Sequence, residues 1–589
     1  MIEARFDDLT GAEPSFRLVA PVGVLEATRP QEVPGVLAGA EAAAARGLWV
    51  AGVVAYEAAP GLDPALRVRT RDTGDPFEGL PLAWFGMFEG RQETTLPSPP
   101  TDALADPSAW VPSVGRTVYD AAIARIHDHI AAGDTYQVNY TLRLDASIGG
   151  DPRGLYRDLC FAQHGRYAAY LDLGTFRVAS ASPELFFRID GDRLTTRPMK
   201  GTAPRGRWLA EDLEQRERLL GSAKDRPENA MIVDLLRNDV GRIARRGSVT
   251  WADVFDAERY DTVWQLTSTV AADLAPGTGL PEIFRALFPS GSVTGAPKVA
   301  TMAIIADLED APRGVYCGAV GFVAPSGMTG PRARFNVAIR TVVQRADSGL
   351  AGYGVGGGIT WDSAAAAEYD EVVAKARVLT AARSPFRLLE TILHEPGSGF
   401  RRLDRHLARM RDSAAYFGFA WNDAAVIEAL GREAGRFPTK PSRIRLLLDA
   451  RGRVETGSAP VAAGAEPVRL AVDRAHPVDP ADASLFHKTT ARERYETAAA
   501  RFPDADDVVL VNTADQVTET TIANLAVLLD GRWVTPPLGA GLLPGCERAA
   551  LLEEGRLAER SVTIGELGRA ESIAVVSSVR PWRDAVLAG

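Results

Sequence analysis

Ser182-Pro-Glu-Leu-Phe186, Pro198-Met-Lys-Gly-Thr202 and Lys224-Asp-Arg-Pro-Glu-Asn-Ala-Met-Ile-Val-Asp-Leu-Leu-Arg-Asn-Asp-Val-Gly-Arg242 follow one another closely and decide how this chain is read. They set Glu184, Lys200 and Glu228 among apolar neighbours. Ionised groups taken out of water are costly unless paired, metal-bound or retuned in pKa, and such groups gather at functional sites. In the last segment Pro227 suits an opening helical turn. Glu228, Met231, Ile232, Leu235 and Leu236 then recur at helical spacing, so Glu228 heads the apolar stripe. Glu368, Glu371, Val372, Lys375 and Leu379 share a stripe on a second helix in the same way. Two helices thus turn carboxylates inward. Mg²⁺ takes oxygen ligands and is typically held by one or two carboxylates plus an anionic substrate. Glu228 and Glu371 meet that need, and ion pairs with Lys224 or Lys375 are the competing reading.

Working outward, 589 residues exceed one hydrophobic core and call for at least two domains. The 46% hydrophobic and 24% charged fractions are those of globular proteins. No long apolar run suggests a membrane span, and the start, M-I-E-A-R-F-D-D, lacks a signal region, so a cytoplasmic protein is expected. Cys160, Cys317 and Cys546 are too few and too scattered for a disulfide framework or metal knuckle. A net charge of -10, with both signs interspersed, gives no footprint for nucleic acid. Small-molecule chemistry is the expectation.

Along the chain, Phe16–Val22, Leu48–Tyr56, Tyr136–Leu144 and Phe335–Val343 read as strands, the last containing Arg340. Val36–Arg46, a stretch from Thr117 to Gly133, and Val299–Leu308 read as helices. Gln137, Asn139 and Thr141 share one face of their strand, which lines a cavity or faces water. L-P-S-P-P-T at 96–101 reads as a surface connection. Strands alternating with helices predict a mixed α/β unit over 1–380. A break at 381–385 leads to a second unit over 384–589. That unit holds a basic helix at 405–419, a strand at 443–448, and F-H-K-T-T-A-R-E-R-Y at 486–495.

The first unit resembles the chorismate-utilising enzymes through S-P-E-L-F, M-I-V-D-L-L-R-N-D-V-G-R, G-S-V-T-G-A-P-K and G-G-G-I-T-W-D-S. The resemblance implies a β-sandwich flanked by helices. Within that group, the aminodeoxychorismate synthases carry lysine in P-x-K-G-T where anthranilate synthases carry alanine, and here the residue is Lys200. It implies that Lys200 adds to C2 of chorismate and displaces the C4 hydroxyl, after which ammonia enters at C4. An unperturbed lysine is protonated at pH 7, so burial is expected to free the amine. Isochorismate and salicylate synthases place a lysine base where this chain has Gln137, and an amide cannot activate water. By the same resemblance Glu184 is the general acid, Glu228 and Glu371 are Mg²⁺ ligands, and Glu368 and Asp225 stand behind them. Arg340, Gly358, Lys375 and Thr294 are substrate contacts. Many relatives have histidine where this chain has Gln265, so no acid–base role passes to that position.

The second unit resembles fold-type IV pyridoxal-phosphate enzymes, aminodeoxychorismate lyase in particular. The resemblance implies Lys488 as the Schiff-base lysine and Arg409 as a phosphate ligand. It further implies Glu519 as the partner of the pyridine nitrogen, and Gly545 and Cys546 as donors of turn amides to the phosphate. Branched-chain and D-amino-acid aminotransferases share most of these motifs. Together the halves imply a bifunctional route from chorismate and ammonia, through 4-amino-4-deoxychorismate, to 4-aminobenzoate, the folate precursor, and pyruvate. The alternatives are a synthase beside an aminotransferase-like or inactive second half, and a non-catalytic chorismate-binding scaffold. With no glutaminase cysteine turn, ammonia is expected from solution or a separate amidotransferase subunit. A homodimer through the second unit is the expected assembly.

Overall fold

The structure, a computed structural model, describes residues 2–588 apart from 72, 98–109, 150, 380–385, 437–438 and 462–465. The connection expected at 96–101 falls mostly, and the break at 381–385 wholly, outside the described residues. Two compact units form, Met1–Pro204 with Arg216–Ser384, and Arg205–Gln215 with Pro385–Gly589. Among the described residues no helix is long and apolar enough to cross a membrane.

Among the described residues the first unit is mixed α/β, with 18 strands joined by pairing into one network around four apolar clusters. Gln137–Ser147 runs antiparallel to Leu350–Ile359, with Asn139 opposite Gly358 and Thr141 opposite Gly356. Gln137, Asn139 and Thr141 are all buried, so their shared polar face meets protein rather than solvent. Met199–Pro204, which carries Lys200, pairs with Val263–Asp273 and sets Thr202 against Gln265. The helix Asp225–Gly241 begins two residues before Pro227 and buries Ile232, Leu236 and Val240 while Asp234 stays wet. Burial of each such side chain contributes roughly 1.5–3 kcal/mol, which anchors Glu228 at the helix start.

Two expectations change. Phe335–Val343 is not one strand: Ala333–Val337 and Thr341–Arg345 are separate, and Arg340 between them takes the left-handed backbone at φ 51°. That conformation breaks the strand alternation. In the helix Ala365–Ala376, Glu368 and Val372 are buried as expected, but Glu371 is exposed where it opens onto a cavity that Glu368 also lines.

In the second unit a four-stranded sheet, in the order Gly399–Phe400, Leu388–Glu395, Ser442–Leu448 and Val454–Pro460, packs under the helices Leu403–Phe417 and Asp423–Ala434. Gly418 ends the first helix at φ 74°, a position that favours glycine. Asn422 opens the second by accepting from the Ala425 amide. An eight-stranded sheet completes the unit.

Candidate active sites

A cavity of about 240 Å³ in the first unit is lined by Glu184, Lys200, Glu228, Arg340, Gly358, Glu371 and Lys375. The strand and two helices therefore bring together the residues singled out from motifs far apart in the chain. Lys200 Nζ stands 3.5 Å from Glu228 Oε2. Gly358 is what lets it reach there, because a Cβ at that position would lie 2.3 Å from Lys200 Nζ and 2.2 Å from Gln137 Nε2. Gln137 is fully buried, and neither polar atom of its amide has a hydrogen-bond partner.

Glu184 is buried and accepts a 2.5 Å hydrogen bond from Ser292 Oγ. Burial pushes its carboxyl up to about 7, against the Ser292 hydrogen bond and the Lys200 charge. Glu371 is ion-paired with Lys375 at 2.7 Å. Burial would raise its pKa, but Lys375 prevails and holds it below the usual carboxylate range. Lys375 also donates to the Gly356 carbonyl, and Arg340 donates to the Lys375 carbonyl. Ser363 donates to Glu368, Ser222 to Asp225, and Thr202 to Gln265. Each neighbour is thus fixed before any ligand arrives.

Thr294 departs from expectation. It is fully buried, does not line the cavity, and spends its hydroxyl on the Ser290 carbonyl. The turn Gly291–Val293 instead delivers Ser292 to Glu184. Lys224, weighed above as an ion-pair partner, also lines the cavity, as do Tyr260, Tyr316 and Tyr353, which no spacing in the sequence marks.

The second unit holds a cavity of about 810 Å³ lined by Arg409, Lys488, Glu519, Gly545 and Cys546. Burial and the nearby Arg409 charge bring the Lys488 amine down to about 8. Glu519 is pushed up to about 7 by burial, against hydrogen bonds from Tyr495 Oη at 3.0 Å and the Leu543 amide at 3.2 Å. Arg409 donates through Nε and Nη2 to Glu390 and through Nη1 to the Pro544 carbonyl. Glu390 also meets His406 Nδ1 at 2.6 Å. Burial raises Glu390, but Arg409 and His406 hold it down at about 2. Gly545 opens the helix Cys546–Glu553 with no side-chain cap, and a Cβ there would lie 1.8 Å from Asn524 Oδ1. Ser577 and Arg580 close a tight turn on the cavity wall.

The sequence profile of the chorismate binding enzymes matches residues 20–381, more than half of the chain. The chain belongs to the chorismate binding enzymes. The profile of the class IV aminotransferases matches residues 387–587. This chorismate binding enzyme is 40% identical over 276 residues to anthranilate synthase component 1 of Streptomyces coelicolor, covering 46% of this chain and 53% of that protein. It is 44% identical over 263 residues to aminodeoxychorismate synthase of Streptomyces griseus, covering 44% of this chain and 35% of that protein. The chain thus spans about half or less of these relatives' length. Anthranilate synthase component I of Streptococcus pneumoniae TIGR4 shares the fold, with a TM-score of 0.54 and 24% identity over 63% of this chain and 92% of that one.

The side chains suit both expected groups. Among the described residues no three His, Cys, Asp or Glu side chains cluster as a metal site. Glu228 and Glu371 line one cavity and are oxygen donors of the kind that suit an ion such as Mg²⁺, which completes its shell with water and substrate oxygens. In the second cavity an amine of lowered pKa, an acid of raised pKa and a bare helix N-terminus beside Arg409 match an aldehyde, a pyridine nitrogen and a phosphate.

Proposed function

We propose that the first unit forms 4-amino-4-deoxychorismate from chorismate and ammonia, and that the second converts it to 4-aminobenzoate and pyruvate. The observation that carries the synthase assignment is the Lys200 amine inside a cavity whose floor, at Gly358, has no side chain to keep it out.

Lys200 in its neutral form adds to C2 of the ring. The double bonds shift, and the C4 hydroxyl leaves as water with the proton that Glu184 holds. A carboxyl titrating near 7 has both protonation states available for this transfer. Ammonia then bonds to C4, the double bonds shift back, and the bond from C2 to Lys200 breaks. Glu228 and Glu371 would hold Mg²⁺, which supplies charge to receive the ring carboxylate. With Glu228 so engaged, Lys200 would be released from its 3.5 Å contact with that carboxylate. Arg340 and Lys375 face the cavity as the cations for substrate carboxylates.

In the second unit pyridoxal phosphate, when bound, supplies an electron sink. Lys488 would hold it, and its amine would take the proton from C4 as the C3–O bond breaks, the enolpyruvyl group leaves as pyruvate and the ring becomes aromatic. Glu519 would keep the pyridine nitrogen protonated, and Arg409 with the amides of Gly545 and Cys546 would receive the phosphate. Ammonia would come from solution or a separate amidotransferase subunit, in keeping with the component naming of aminodeoxychorismate synthase component 1 of Escherichia coli.

Incubation with chorismate, ammonia, Mg²⁺ and pyridoxal phosphate tests the reading. The expected products are 4-aminobenzoate and pyruvate. Anthranilate as the product would overturn the Lys200 assignment. Accumulated 4-amino-4-deoxychorismate without pyruvate would overturn the lyase assignment and favour an aminotransferase-like second unit.

A further inference from the structure

The two residues before Lys488 are held by a segment some 280 positions earlier in the chain. Arg205–Gln215 directly follows the Lys200 strand, yet it packs as part of the second unit. The Arg205 guanidinium forks onto Asp212 at 2.6 and 2.8 Å, donates to the Tyr416 carbonyl at 2.8 Å, and lies 4.3 Å over the Tyr416 ring. Tyr416 Oη donates in return to the Gly206 carbonyl at 2.8 Å. Trp208 packs on Phe486 with ring centroids 5.0 Å apart. The Arg207 carbonyl faces His487 Nε2 at 3.1 Å, while His487 Nδ1 meets Ser413 Oγ at 2.9 Å.

A carbonyl oxygen only accepts, so Nε2 carries the proton and Nδ1 takes the Ser413 hydroxyl hydrogen. Burial, which lowers His487 to about 4, keeps the ring neutral and in that single tautomer. The ring is also clasped by Tyr416 and Phe417 at 4.3 and 4.7 Å. On its other side Lys488 is tied down by its carbonyl, which accepts from the Leu389 amide at 2.9 Å, and by the Thr490 amide donating to Arg387. The Lys488 backbone is therefore fixed from two directions, and one of them is Arg205–Gln215.

We propose that Arg205–Gln215 is a working part of the second site, and that through Phe486 and His487 it sets where the Lys488 amine stands. His487 is then a positioning residue. The inference rests on the reading of Lys488 as the anchor of pyridoxal phosphate. The test uses the full chain and three variants, His487→Ala, His487→Gln and Trp208→Ala, titrated with pyridoxal phosphate and followed by visible absorption across pH. His487→Ala and Trp208→Ala should weaken cofactor binding about tenfold, which is about 1.4 kcal/mol. Both should move the pH midpoint of the absorption change in the same direction. His487→Gln, whose amide still donates to the Arg207 carbonyl, should recover most of the affinity. The circular dichroism and thermal unfolding of His487→Ala should match those of the parent chain, which separates the effect from unfolding of the second unit. Unchanged affinity and midpoint in both His487→Ala and Trp208→Ala would overturn the proposal, as would a His487→Gln variant no better than His487→Ala. Borohydride trapping on the unmodified chain keeps the two readings apart: failure to label Lys488 would remove the cofactor assignment itself, and the positioning proposal with it.

Discussion

Each unit sets a lysine proposed to react on the wall of a cavity, Lys200 in the first and Lys488 in the second, and the two amines are kept in opposite ways. Lys200 leans on a carboxylate, 3.5 Å from Glu228, in a cavity with acids on two helices. Lys488 is half-buried, and desolvation with the charge of Arg409 brings its amine down to about 8 without any ligand. In the proposed reactions Lys200 has to leave its contact with Glu228 before its amine acts, whereas burial and Arg409 already favour the neutral amine of Lys488. Two solutions to the same chemical need follow from what each fold packs beside the amine.

The largest expected effect breaks the second half of that contrast. Lys488→Ala should lower 4-aminobenzoate formation by on the order of 10⁴-fold, since both cofactor attachment and proton transfer go with the amine. 4-Amino-4-deoxychorismate should accumulate at the parent rate, as chromatography of the reaction mixture would read. Lys200→Ala should cost at least about a hundredfold in 4-amino-4-deoxychorismate formation, about 2.7 kcal/mol of barrier. A Lys200→Ala chain that works at the parent rate would reduce the lysine to a partner of Glu228.

Glu184 sharpens the comparison through pH. The acid must carry its proton to act, and its carboxyl titrates near 7, so the synthase rate should fall as pH rises through 7 at fixed free ammonia. Glu184→Gln should lose roughly tenfold to a hundredfold and abolish that limb of the profile. The smallest effect lies at Tyr495, whose hydroxyl donates to Glu519 at 3.0 Å. Tyr495→Phe removes one hydrogen bond of about 1 kcal/mol. The Kd for pyridoxal phosphate should rise about fivefold.

The legible part of the molecule was local or strongly patterned. The helix expected at 405–419 forms as Leu403–Phe417, and the strand expected at 443–448 as Ser442–Leu448, because each has a clear apolar period and a turn signal at its end. Glu184, Lys200 and Glu228 were found because long motifs carry them. The rest depended on geometry that no period records. Ser292 and Thr294 are both hydroxyls of one loop, and only the turn Gly291–Val293 decides which of them faces the cavity. Arg340 ends a strand by adopting a backbone that its residue type does not announce. Glu371 and Glu368 are three residues apart on one helix and line one cavity, yet Glu368 is buried and Glu371 exposed. Arg205–Gln215 shows no break in pattern at all, and its membership of the second unit is a matter of contacts remote in sequence.

The run Val355-Gly-Gly-Gly-Ile359 has a consequence of its own. Over Gly356, Gly357 and Gly358 the sheet presents bare peptide planes, and at Gly358 the space a methyl would occupy is already filled from both sides by Gln137 and Lys200. Specificity at that point is written as a gap. The smallest possible addition to the chain, one carbon at residue 358, would collide with the Lys200 amine and the Gln137 amide at once, so the site is guarded most strictly where it has least substance.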